Sequence, residues 1–146
     1  MNIGFIGVGA ISSAIITGFC LNKSVEHNLY LSPRNREKSK KLSKSYENVT
    51  AMESNQAVVD NSEWVVIAVN TSDGIDVVKS LKFNKNSKII NLMTLRQIDV
   101  IKDYIDIDIP MVQMVPLPFI SKRIGPIAIY PKNSEVSNLF GSLGDV

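Results

Sequence analysis

The sequence predicts a doubly wound α/β domain built on a mainly parallel sheet. Three observations carry this. Short apolar runs alternate with longer amphipathic segments, most of the runs show no polar alternation, and a glycine pair stands between the first run and the first helical segment. Runs rich in Val and Ile without alternation are what strands covered on both faces look like. Their regular alternation with helices implies right-handed βαβ units.

In order, residues 3–8 read as the first strand and 11–21 as the first helix, with the glycines between them. A second strand over 28–32 leads into a basic helix over 36–46, and 48–51 supplies a short extra strand. Residues 54–60 have helical spacing, 64–70 form the fourth strand and 73–81 the next helix. Strand 89–93, helix 95–104 and strand 111–115 complete the alternation. From Pro110 onward the chain changes character, because "PMVQMVPLPFISKRIGPIAIYP" holds five of the six prolines. Proline excludes long helix and limits ladder pairing, so an irregular loop through Pro116 and Pro118 and an edge strand over 127–130 are expected. Asn133 or Ser134 then caps a last helix that closes near Gly141 or Gly144.

At 146 residues the chain is long enough for one continuous core, and residues 1–146 are expected to form a single domain. Apolar residues at 45% and charged residues at 21% fit a folded globular protein rather than a disordered one. A formal charge of +2 gives no strong field for nucleic acid or an anionic membrane, so neither is an expected partner. The lone Cys20 cannot close an internal disulfide, no basic leader precedes the first apolar run, and no run approaches ~18 apolar residues. The expectation is a cytoplasmic protein.

The glycines carry the chemistry. Gly7 and Gly9 follow a strand and open a helix, the context in which such a pair points to a dinucleotide. The first allows a tight turn. The second has no Cβ, so backbone can approach a pyrophosphate at the helix N-terminus, where free N–H groups and the dipole favour an anion. The third position of the fingerprint is Ser12, small enough for close packing. The second strand then bears on which dinucleotide. A carboxylate there would hold a ribose 2′-hydroxyl, but this strand ends in Ser32, followed by Arg34, Arg36, Lys38, Lys40 and Lys41. Ser32 can donate to a 2′-phosphate and Arg34 can pair with it, which favours NADP, with NADPH preferred over NADH. The lysines read better as the solvated face of a helix.

These stretches resemble one family. "IGFIGVGAISSAIITGF" is similar to the opening of the pyrroline-5-carboxylate reductases, "LSPRN" to the end of their second strand, "SNQAVVDNSEWVVIAVN" to their D-N-x-E-A-V-x-x-A-D-V-V-I-L-A-V-K-P segment, and "SNLFGSLGDV" to the V-x-x-L-F-x-x-L-G that closes their cofactor domain. The resemblance runs through nearly the whole chain in the same order. It implies a Rossmann domain with the pyrophosphate at Ile6, Gly7, Val8, Gly9, Ala10, Ile11 and Ser12. It further implies Ser32, Arg34 and Asn35 beside the 2′-phosphate, Asn55 on the adenosine side, and Ala68, Val69 and Asn70 beside the nicotinamide. The implied reaction is hydride transfer from NADPH to a small cyclic imine, as in proline biosynthesis. Three loops depart from the family. Ala68-Val69-Asn70-Thr71 stands for A-V-K-P, Asn91-Leu92-Met93-Thr94 for A-A-G-I-T, and Val115-Pro116-Leu117-Pro118 for M-P-N-T-P. Members of the family continue into an all-helical domain that forms a dimer and contacts substrate. Nothing in this sequence resembles it, so a truncated chain is expected, homo-oligomeric in full-length form, with Leu117, Phe119 and Ile120 left exposed.

The remaining chemical side chains read more simply. His27 lies in a polar stretch and is expected at the surface, Cys20 is expected to be a buried structural thiol, and no spacing of His, Cys, Asp or Glu suggests a metal. No residue is assigned as catalytic, since a nicotinamide carries its own hydride chemistry. A second reading is a non-catalytic Rossmann module acting as an NADP sensor or an interaction scaffold.

Overall fold

A computed structural model describes residues 1–24, 26–94 and 98–146. Its strands are β1 (Asn2–Ile6), β2 (Asn28–Leu31), β3 (Val49–Ala51), β4 (Trp64–Ile67), β5 (Lys88–Asn91), β6 (Met111–Pro116) and β7 (Ile127–Tyr130). Its helices are α1 (Ala10–Leu21), α2 (Arg36–Ser45), α3 (Asn55–Asp60), α4 (Thr71–Lys79), α5 (Ile98–Lys102) and α6 (Ser134–Phe140), with a 3-10 turn over Pro118–Lys122. The strands form one sheet in the order β3-β2-β1-β4-β5-β6-β7. β1 to β6 are parallel, and β7 alone runs antiparallel, against β6. This is the doubly wound architecture that the apolar runs predict.

Strand alternation divides the core in two. Ile3, Phe5, Trp64, Val66, Ile90, Val112 and Met114 face one side, where Ile15, Ile16 and Phe19 of α1 and Val136, Leu139 and Phe140 of α6 cover them. Ile6, Val65, Ile67, Ile89 and Met111 face the other, under Val58 and Val59 of α3, Val78 of α4 and Ile101 of α5. With both faces covered, the central strands have no solvent side, which is why they read as unbroken Val/Ile runs. Full burial of each such side chain contributes ~1.5–3 kcal/mol.

Several helix starts are fixed by side chains named in the sequence. Asn35, Ser54 and Asn133 are the N-caps of α2, α3 and α6, accepting from the N–H of Lys38, Ala57 and Val136. The helix predicted over 95–104 ends at Lys102, two residues early, and residues 95–97 lie outside the described residues. The expected irregular loop is also more ordered: β6 runs on to Pro116, and the 3-10 turn follows, with Pro118 as its first residue. That turn puts Ile120, expected at the surface, into the core against α1 at 1% exposure, while Leu117 and Phe119 do stay exposed. Away from the strand C-termini, α6 is tied to the sheet by Glu135. It accepts from the Trp64 indole Nε1 at 2.9 Å and pairs with Lys88 Nζ at 2.7 Å. Lys88, chiefly, holds the Glu135 carboxyl below its ordinary pKa, and the Trp64 hydrogen bond adds to this against partial burial.

His27 is a second correction. It is buried, at 7% exposure, with its ring edge-on to Phe19 at 5.2 Å. Burial, reinforced by the chain's N-terminal ammonium, holds its pKa below the ordinary value. Cys20 is half-buried with Sγ 3.7 Å from Asn48 Oδ1, and burial pushes its thiol up to about 11. Among the described residues, no helix is long and apolar enough to cross a membrane.

Candidate functional site

Strand order reverses between β1 and β4: β2 and β3 lie to one side of β1, β4 to β7 to the other. Loops leaving the C-terminal ends there diverge, and in sheets of this kind the crevice they open is where ligands bind. In this protein that crevice is a cleft of about 500 Å³. The loop after β1 forms its floor, the loop after β2 one wall and the loop after β4 the other.

Gly7 makes the turn out of β1 with φ +93°, a backbone conformation unfavourable to any residue with a Cβ. A Cβ there would also lie 2.5 Å from the Ala68 carbonyl oxygen. Glycine is therefore required by the fold itself. Gly9 differs: its φ is −89°, it is the N-cap of α1, and a Cβ on it would meet nothing within 4 Å. Among the described residues no atom crowds out a side chain here, and glycine also suits the N-cap position. The space above it is the cleft, into which the first N–H groups of α1 and the positive end of its dipole face.

Side chains hold the loop from behind. The Gly7 N–H donates to Ser32 Oγ at 2.9 Å, Ser12 Oγ donates to the Gly7 carbonyl at 2.7 Å, and Ser39 Oγ donates to the Ser32 carbonyl at 2.8 Å. Asn35, while capping α2, reaches the Val8 carbonyl through Nδ2 at 3.4 Å. Ser32 and Ser12 are both buried. Ser32 thus supports the glycine turn, a different position from the outward-facing phosphate donor that the strand end suggests.

The residues that sequence reasoning singles out divide into three groups. Gly7, Val8, Gly9, Arg34, Asn35 and Ala68 to Asn70 line the cleft together. Ile11 lines a smaller hollow of about 210 Å³ that continues past Ala68 and Val69 towards Leu92, Met114 and Pro116. Ile6, Ser12 and Ser32 lie behind the loop, Ala10 is exposed on the first turn of α1, and Asn55, which opens α3, is outside both linings.

Two cleft features escape the sequence reading. Arg36, for which no role was settled, and Glu37, given none, stand at the lip of the cleft. Asp73, in the first turn of α4, pairs with Arg34 at 2.8 Å. An acidic residue in the first turn of the helix after β4 is the only signal of it in the sequence. The loop where glycine is replaced has its own structure. Asn91 is buried; its Nδ2 donates to Gln113 Oε1 at 2.6 Å and its Oδ1 accepts from the Met93 N–H at 3.1 Å.

The fold and the cleft define the protein as a Rossmann-type α/β domain. The chain belongs to the family described as NADP oxidoreductase, coenzyme F420-dependent, whose profile matches residues 2–94. Among solved structures it is similar to the 1-pyrroline-5-carboxylate reductase of Streptococcus pyogenes, with a TM-score of 0.80 and 24% identity over 99% of this chain and 56% of that one. The pyrroline carboxylate reductase of Plasmodium falciparum, solved with NADP bound, gives a TM-score of 0.84 at 18% identity, again over 99% of this chain and 56% of that one. An imine reductase from Aspergillus terreus gives 0.72 at 14%, over 99% and 53%. The chain thus spans just over half the length of these enzymes. No curated protein sequence matches it.

Proposed function

We propose that residues 1–146 form the NADP-binding domain of a reductase similar to the pyrroline-5-carboxylate reductases, acting on a small cyclic imine. One observation carries the proposal: Gly9 lacks a side chain at the mouth of a helix N-terminus although the protein leaves room for one. A glycine that no neighbouring atom requires, on the floor of the cleft at the strand-order reversal, offers the close approach that a pyrophosphate demands. The residues present fit the group. Gly7 to Ser12 would cradle the pyrophosphate, with Ile6 and Ser32 supporting the turn. Arg34, Asn35 and Arg36 would face the 2′-phosphate, which supports a preference for NADPH over NADH. Asn55 would lie on the adenosine side, and Ala68 to Asn70 would flank the nicotinamide.

When bound, the nicotinamide supplies the hydride. The chain's part would be to hold and orient it, with Ile11 and Leu92 in the adjoining hollow offering apolar surface beside it. A cytoplasmic location and a homo-oligomeric full-length enzyme belong to the same proposal.

The test is calorimetric titration with NADPH and with NADH, on the wild type and on Arg34→Ala. NADPH is expected to bind at least tenfold more tightly, ~1.4 kcal/mol, with the advantage lost in Arg34→Ala. Equal affinities for the two in the wild type would refute the phosphate preference, and absence of binding by either would refute the dinucleotide reading.

A further inference from the structure

We propose that Asp73 sets how strongly the cleft prefers a phosphorylated ribose, by competing with the ligand for Arg34. The inference rests on the dinucleotide reading above. Arg34 lies in the loop after β2 and Asp73 in the first turn of α4, after β4, and β1 separates those two strands in the sheet. Their 2.8 Å ion pair, 39 residues apart in sequence, therefore ties Arg34 on one wall of the cleft to the helix that continues from the other wall. It is made of groups that part readily, since the two side chains are 60% and 40% exposed. Exposed ion pairs of this kind hold by at most about fivefold in equilibrium terms, ~1 kcal/mol at 1.4 kcal/mol per tenfold.

A ribose 2′-phosphate carries about −1.5 to −2 charges where a carboxylate carries one, as other phosphomonoesters do. It takes the guanidinium from Asp73, whose exposed carboxylate is then left to water. A nucleotide with a bare 2′-hydroxyl has nothing to offer Arg34 that would break the pair. Asp73 thus subtracts from phosphate recognition without touching the ligand, and the bridge opens when the phosphorylated nucleotide enters and persists when the other does.

Calorimetric affinities for NADPH and NADH on the wild type, Asp73→Asn, Arg34→Ala and the double variant test this, with urea midpoints confirming that each variant is folded. The ratio of NADPH to NADH affinity is expected to rise two- to fivefold in Asp73→Asn and to stay unchanged when the same substitution is made on Arg34→Ala. An unchanged or lowered ratio in Asp73→Asn, or an equal rise in both backgrounds, overturns the competition while leaving the dinucleotide reading intact. Absence of binding by either nucleotide to the wild type overturns both.

Discussion

Alanine at Gly7 and alanine at Gly9 are expected to fail in opposite ways, although the positions are two residues apart on one loop. At Gly7 the new Cβ meets a positive φ, at ~1–2 kcal/mol, and lies 2.5 Å from the Ala68 carbonyl oxygen, a backbone atom that cannot swing aside. Forcing the β4–α4 connection outward adds the ~1–3 kcal/mol usual for overpacking. The sum, about 2–5 kcal/mol, lowers the urea midpoint by about 1–2.5 M for a slope of about 2 kcal/mol/M. At Gly9 the φ of −89° suits any residue and the Cβ meets nothing within 4 Å. The lower chain entropy of the unfolded state favours alanine by ~0.4–1 kcal/mol, and the poorer N-cap disfavours it by a similar amount. The midpoint should therefore move by no more than about 0.25 M, equivalent to ~0.5 kcal/mol. NADPH affinity should nevertheless fall at least tenfold, because the methyl group occupies the space proposed for the pyrophosphate. Urea denaturation and calorimetry on both variants decide the matter. Gly9→Ala that binds NADPH like the wild type would refute the assignment of that space, and an undiminished midpoint in Gly7→Ala would refute the steric argument.

Two further predictions concern the fold. Because burial lowers the His27 pKa, the unfolded chain binds the proton first as pH falls below ~6.5. Stability attributable to His27 is full above that value and is lost as pH drops through the lowered folded value, by at most ~1.4 kcal/mol per pH unit. Melting temperatures from pH 7.5 to 5 should decline less steeply in His27→Gln, and an identical decline would exclude His27 as the source. At the same N-terminal end of the strands, Glu135→Gln keeps an acceptor for the Trp64 indole and should cost no more than ~1 kcal/mol. Glu135→Ala leaves that buried N–H unpaired and should cost ~1–3 kcal/mol. Fluorescence of Trp64, the single tryptophan, followed through urea denaturation measures both, and equal losses would show that the indole hydrogen bond contributes nothing.

The order of strands and helices was legible because burial on both faces leaves the central strands no choice but unbroken apolar runs. Their C-terminal ends were less so. The apolar pattern continues through Val8, Val69 and Met93, but the ladder stops at Ile6, Ile67 and Asn91. These residues pack against the core after the chain has left the sheet, so hydrophobicity outlasts hydrogen bonding where the loops turn to form the cleft. Local chemistry marked the glycine turn and the cap of α6, since each is set by residues close in sequence. Long-range pairings left no such trace. Burial of His27 depends on Phe19 across a turn, Ser32 reaches Gly7 over 25 residues, and the Arg34–Asp73 bridge closes only after two strands have been placed on either side of β1.

The antiparallel β7 also determines how this sheet meets other molecules. A parallel sheet ending in a long bare strand would expose a row of unpaired amides and carbonyls to any neighbouring chain. Here the outermost strand on that side has four residues, with Pro126 before it and Pro131 after it, neither of which has an N–H to offer. The Ile127 N–H is already engaged by the Asp145 carbonyl, and the Asp145 N–H by Gly125. At the opposite margin β3 has only three residues. One rim short, proline-flanked and partly capped and the other only three residues long, the sheet offers poor templates for strand addition and carries its own protection against fibrillar growth.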